Sequence, residues 1–75
     1  MAFIKSFEKE VRTFNHQTTA RTTYSTGCPA GQKIFQINMY GTKYRECPHQ
    51  ASQIIQLDKT SASELVDLLK DYFDL

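Results

Sequence analysis

Ile54-Ile55-Gln56-Leu57-Asp58-Lys59-Thr60-Ser61-Ala62-Ser63-Glu64-Leu65 is where one hydrophobic rhythm gives way to another. On its N-terminal side, Ser52–Leu57 alternates as a half-buried strand does. On its C-terminal side, Leu65, Val66, Leu69 and Phe73 recur at helical spacing, with Leu68 and Tyr72 beside them. Glu64, Asp67, Lys70, Asp71 and Asp74 occupy the opposite face. Between the two lie Asp58, Thr60 and Ser61, all residues that start helices. Ser61 and Glu64 have capping-box spacing, and Asp58 offers an earlier start. A strand followed by an amphipathic helix over 61–75 is the expectation.

Upstream, Lys33–Tyr40 reads as a second strand, with Phe35, Ile37 and Met39 on one face and Gln36, Asn38 and Tyr40 on the other. Gly41-Thr42 ends it. Gln17–Thr26 holds five threonines and Tyr24, which suit a half-exposed strand and not a helix. Gly27-Cys28-Pro29-Ala30-Gly31 makes a turn after it. Residues 1–14 form an N-terminal strand or extension. Ile4, Phe7, Val11 and Phe14 fit a helical face, but Phe7, Lys9, Val11 and Thr13 also alternate, and a strand is the preferred reading. The order is three or four strands and then one helix, an α+β chain.

With 75 residues and 8.7 kDa there is room for one domain, 1–75. A monomer this small buries only about 60–65% of its unfolded surface, so a partner subunit would help it. No apolar run approaches a membrane span, and Met1–Lys5 lacks the pattern of a secretory signal. The expected setting is therefore intracellular, with no membrane partner. The net charge of +1 conceals an asymmetry. Residues 1–50 carry Lys5, Lys9, Arg12, Arg21, Lys33, Lys43 and Arg45 against Glu8, Glu10 and Glu46. Residues 51–75 carry Lys59 and Lys70 against five carboxylates. Such a chain presents a basic face to an anion and keeps an acidic one solvated.

Catalytic chemistry finds little support. Cys28 and Cys47 with His16 and His49 contain the elements of a nucleophile and base, or of a zinc set. Neither a nucleophile motif nor close Cys pairs accompany them. The expectation is no enzyme activity, no metal, no cofactor and free thiols. Nucleic-acid binding fits better. Tyr40, Asn38 and Gln36 share a face, flanked by Lys33, Lys43, Tyr44 and Arg45, while Arg21 and Tyr24 belong to the threonine-rich strand. Cations for phosphates and flat rings for bases are what single-stranded DNA requires.

Ile55-Gln56-Leu57-Asp58 followed by Leu65, Phe35–Tyr40, and Gly31 before that strand carry a resemblance. From about Asn15 to Phe73 the chain resembles the positive cofactor four family of transcriptional coactivators, small dimeric proteins that bind single-stranded DNA. The resemblance rests on hydrophobic pattern, and several positions depart from it. Gly41 stands where the family has a bulky aromatic, Asn38 where it has Arg, and Pro29 where it has an aromatic. Ala51-Ser52-Gln53 replaces a basic stretch. The resemblance implies a curved four-stranded antiparallel sheet followed by one C-terminal amphipathic helix, dimerised through Leu65, Val66, Leu69 and Phe73. It also implies sequence-nonspecific binding of single-stranded DNA in transcription, or in replication and recombination, including in a phage. Replication or transcription proteins are the further partners in such a setting, in a bacterial cytoplasm or a nucleus. Chosen by chemistry, the contact set is Arg21, Tyr24, Lys33, Asn38, Tyr40, Lys43, Tyr44 and Arg45. The competing expectation is a small protein-interaction module without nucleic-acid binding.

Overall fold

The computed structural model describes residues 1–41 and 51–75. Four strands and one helix follow in chain order: β1 (Ala2–Ile4), β2 (Thr22–Gly27), β3 (Ile34–Tyr40), β4 (Ala51–Leu57) and α1 (Lys59–Phe73). They form a single sheet in the order β1-β4-β3-β2. The last three strands are antiparallel neighbours, but β1 runs parallel to β4, with Ala2 opposite Ile55 and Ile4 opposite Leu57. The sheet is thus mixed, which corrects the all-antiparallel expectation. A long connection over residues 5–21 frees β1 from hairpin geometry, and this register sets Ala2 and Ile4 beside Ile55 and Leu57, with Phe3 beside Gln56. The N-terminal strand also stops at Ile4, so neither a strand nor a helix continues to residue 14.

The β2–β3 connection turns sharply because two successive residues adopt left-handed backbone. Ala30 has φ 53° and Gly31 φ 80°. Nothing lies within 4 Å of where a Gly31 side chain would project, so conformation and not crowding asks for glycine there. The turn is closed by Gly31 N–H donating to the Cys28 carbonyl and Gln32 N–H to that of Pro29.

α1 begins two residues earlier than the Ser61 start. Asp58 is the cap: its carboxylate accepts from Ser61 N–H at 2.9 Å, and the Ser61 hydroxyl accepts from Asp58 N–H at 3.1 Å. Ser61 is therefore the third residue of the helix, the partner of Asp58 in a reciprocal pair, and is completely buried. The Ser61 amide is the chief reason the Asp58 carboxyl sits below its ordinary pKa. Glu64, displaced from capping, accepts from Phe7 N–H at 2.7 Å and ties the N-terminal segment to the helix. At the other end Asp74 takes the left-handed conformation, φ 57°.

Burial is sparse. Among the described residues only Ile34 and Leu57 are buried apolar side chains. α1 meets the sheet chiefly at β4, and every residue from Val66 onward is exposed, Phe73 at 60%. The chain exposes 7004 Å², whereas a compact protein of its mass exposes about 4,700 Å². Its radius of gyration is 14.5 Å against about 11 Å expected for this length.

Candidate nucleic-acid interface

Register decides which side chains share a face. Asn38 lies opposite Thr23 and Ile54, and Gln36 opposite Ser25 and Gln56. These residues form one polar network. Gln56 donates to Gln36 at 2.8 Å, Gln36 donates to Asn38 at 2.7 Å, and Asn38 donates to the hydroxyls of Thr23 and Ser25, each at 3.2 Å. Asn38 is only 7% exposed. Its amide oxygen and nitrogen are both engaged, so it braces the face and has little left to offer a ligand.

Beside this network, where the chain enters β2, stands Arg21. Its guanidinium carbon lies 4.5 Å from the centroid of the Tyr40 ring. Tyr40 N–H donates to the Arg21 carbonyl at 3.0 Å, extending the β2–β3 ladder by one bond and fixing the two residues together. A guanidinium held over a ring is a cation–π pair, and Arg21 remains exposed in it. A positive fork and a flat ring on one polar surface match the needs of a phosphate and a base.

The other expected contacts separate. Tyr24 lies opposite Ile37, on the face of Phe35, Ile37 and Met39, and stacks on Phe35 with ring centroids 5.4 Å apart. Tyr24 and Tyr40 are therefore on opposite faces of the sheet. Lys33 also belongs to the Tyr24 side, lining a groove with Phe35, Leu57, Lys59 and Ala62. Lys43, Tyr44 and Arg45 lie outside the described residues. So do Cys47 and His49 of the conceivable zinc set, while Cys28 is exposed in the β2–β3 turn and His16 is exposed in the 5–21 segment.

None of the strand residues is charged. Among the described residues, Arg21 at the entrance to β2 is the cation seen beside the polar face, while Lys5, Lys9 and Arg12 are exposed on the 5–21 segment. Arg12 pairs loosely with Glu10 at 3.9 Å, both largely exposed. Residues 5–21 leave β1 at one edge of the sheet and enter β2 at the other, a course that only the strand order reveals. Pairing Gln36 with Gln56 was hidden for the same reason, since both sit on polar positions of strands far apart in sequence. No helix among the described residues is long and apolar enough to cross a membrane. Comparison with protein-family models, with curated proteins and with solved structures gives no match.

Proposed function

We propose that this chain binds single-stranded DNA without sequence preference and does so as a homodimer, in transcription or in DNA replication and recombination. The observation that carries the reading is Arg21 stacked on Tyr40 at the margin of an uncharged, hydrogen-bonding sheet face. Such a margin tolerates any base, because a guanidinium contacts phosphate and every base presents a π-face to a ring. Arg21, with Lys5, Lys9 and Arg12 on the crossing segment, supplies the phosphate charge. The resemblance to the positive cofactor four family supports the same reading.

The homodimer is supported by exposed apolar side chains: Val66, Leu69 and Phe73 of α1 stand 47%, 40% and 60% exposed in the single chain, which a small monomer can ill spare. Leu65, Val66, Leu69 and Phe73 of α1, together with the Phe35 face of the sheet, are the apolar surfaces that a twofold partner would cover. Tyr24 and Lys33 then belong to the dimer side and not to the DNA side.

Fluorescence anisotropy with a labelled oligothymidine, compared with duplex of equal length, tests the function. Preferential binding of the single strand is the expected result. A chain that dimerises but binds neither form is a protein-interaction module instead.

A further inference from the structure

α1 is acidic at its end. Lys59 opens the helix next to the Asp58 cap, whose carboxylate suits the dipole, whereas Asp71 and Asp74 at the far end stand against it, with Lys70 the one base in the last turn. Next to Lys59 lies an open groove of about 500 Å³ with an apolar floor of Phe35, Leu57 and Ala62, Lys33 at its rim and the Asp58 cap in its wall. At the far end of the same helix, Tyr72 and Phe73 meet edge to face at 4.9 Å and are largely exposed, flanked by Asp71 and Asp74. The groove holds two lysines and one aspartate that is already engaged as the helix cap, so it stays net basic. An aromatic knob with two aspartates complements it in shape class and charge.

They cannot meet within one chain. The fifteen residues of α1 extend about 22 Å from Lys59, which carries the knob away from its own groove. We propose that the groove receives the end of α1 from a second copy of this chain. Tyr72 and Phe73 enter over Phe35 and Leu57, while Asp71 and Asp74 face Lys33 and Lys59. This rests on the homodimer reading and specifies its geometry: α1 helices run antiparallel, and twofold symmetry makes the contact twice. Each acidic helix end is then set against Lys33 and Lys59 of its twin, which offsets the unfavourable placement of Asp71 and Asp74 at a helix C-terminus. Buried aromatic anchors ringed by charge are how such interfaces concentrate their affinity.

The proposal predicts a change of partner choice. K33E/K59E places acidic grooves against acidic helix ends in its own dimer, and D71K/D74K places basic against basic. Mixed one to one, each variant offers what the other lacks. Sedimentation velocity in low salt, with one variant labelled, reads the result. Each variant alone should dissociate at least tenfold more readily than wild type, and the mixture should form the heterodimer almost exclusively. Circular dichroism of each variant alone reports whether it folds, and recovery on mixing is the decisive readout in either case. Two variants that dimerise like wild type and mix statistically would overturn the groove assignment while leaving the homodimer intact. So would variants that remain apart after mixing when wild type is a dimer. A monomeric wild type would overturn both.

Discussion

Arg21 and Tyr40 are joined twice, by the Tyr40 amide donating to the Arg21 carbonyl at 3.0 Å and by the guanidinium lying 4.5 Å from the ring centroid. The backbone bond fixes the register in which the side chains stack, so the pair is positioned by the sheet and not by a flexible loop. Replacing each member should therefore separate charge from stacking. Arg21→Ala should weaken every single-stranded sequence alike and make the log–log salt slope shallower by about 0.7, the loss of one phosphate contact. Tyr40→Ala should cost about 1–3 kcal/mol in binding with little change of slope. Anisotropy titrations at several salt concentrations measure both.

Tyr24→Ala provides the contrast. Tyr24 stacks on Phe35 on the opposite face. Its removal should leave the salt slope and the single-strand affinity at saturating dimer concentration within twofold of wild type. The shift should appear in the dimer dissociation constant, read by sedimentation.

Asn38 is a structural residue of the polar face. Asn38→Ala leaves Gln36 without its acceptor and the hydroxyls of Thr23 and Ser25 without their donor. A loss of about 1–3 kcal/mol in unfolding free energy is expected, visible as a lower Tm and a lower denaturant midpoint with unchanged m-value. The salt slope for DNA should not move.

The cap of α1 gives a pH dependence with a definite sign. The Asp58 carboxyl is held below its ordinary value of 3.8, mainly by the Ser61 amide. Its contribution is complete above that ordinary value and is lost as pH falls through the lower value of the folded state. Asp58→Asn keeps an acceptor for the amide and should remove this component of acid sensitivity. Asp58→Ala should lower Tm by several degrees at neutral pH, followed by helix circular dichroism.

What could be read from the sequence follows from the range of the interactions. The helix stripe Leu65, Leu69 and Phe73 and the alternation of β3 are periodic within one element, so both were legible before any contact was known. The start of α1 was legible only as a choice, because Asp58 and Ser61 are both good caps and the reciprocal bond between them decides. Parallel pairing of β1 with β4 joins residues more than fifty positions apart, and no local pattern encodes it. The same limit governed the site. Tyr24 and Tyr40 share a favourable chemistry, yet the register set by the Ala30–Gly31 turn puts them on opposite faces. Arg21 met Tyr40 for that same reason of register, a contact that composition could only hint at.

Dimerisation through α1 has a simple substitution test. Leu69 is 40% exposed in the single chain, so Leu69→Asp costs a lone subunit little. In a dimer that covers the helix, the same change buries a carboxylate without a partner. The variant should sediment as monomer or lose its cooperative unfolding, while wild type sediments above 8.7 kDa at micromolar concentration.

The salt dependence of oligothymidine binding tests the central claim most directly. Four to six phosphate contacts from Arg21 and the other exposed cations correspond to a log–log slope of about −3 to −4, at roughly −0.7 per contact for single strands. The account predicts that slope together with weaker binding of duplex, whose paired bases cannot reach Tyr40. Equal affinity for single strand and duplex, or no binding to either at low salt, would contradict it.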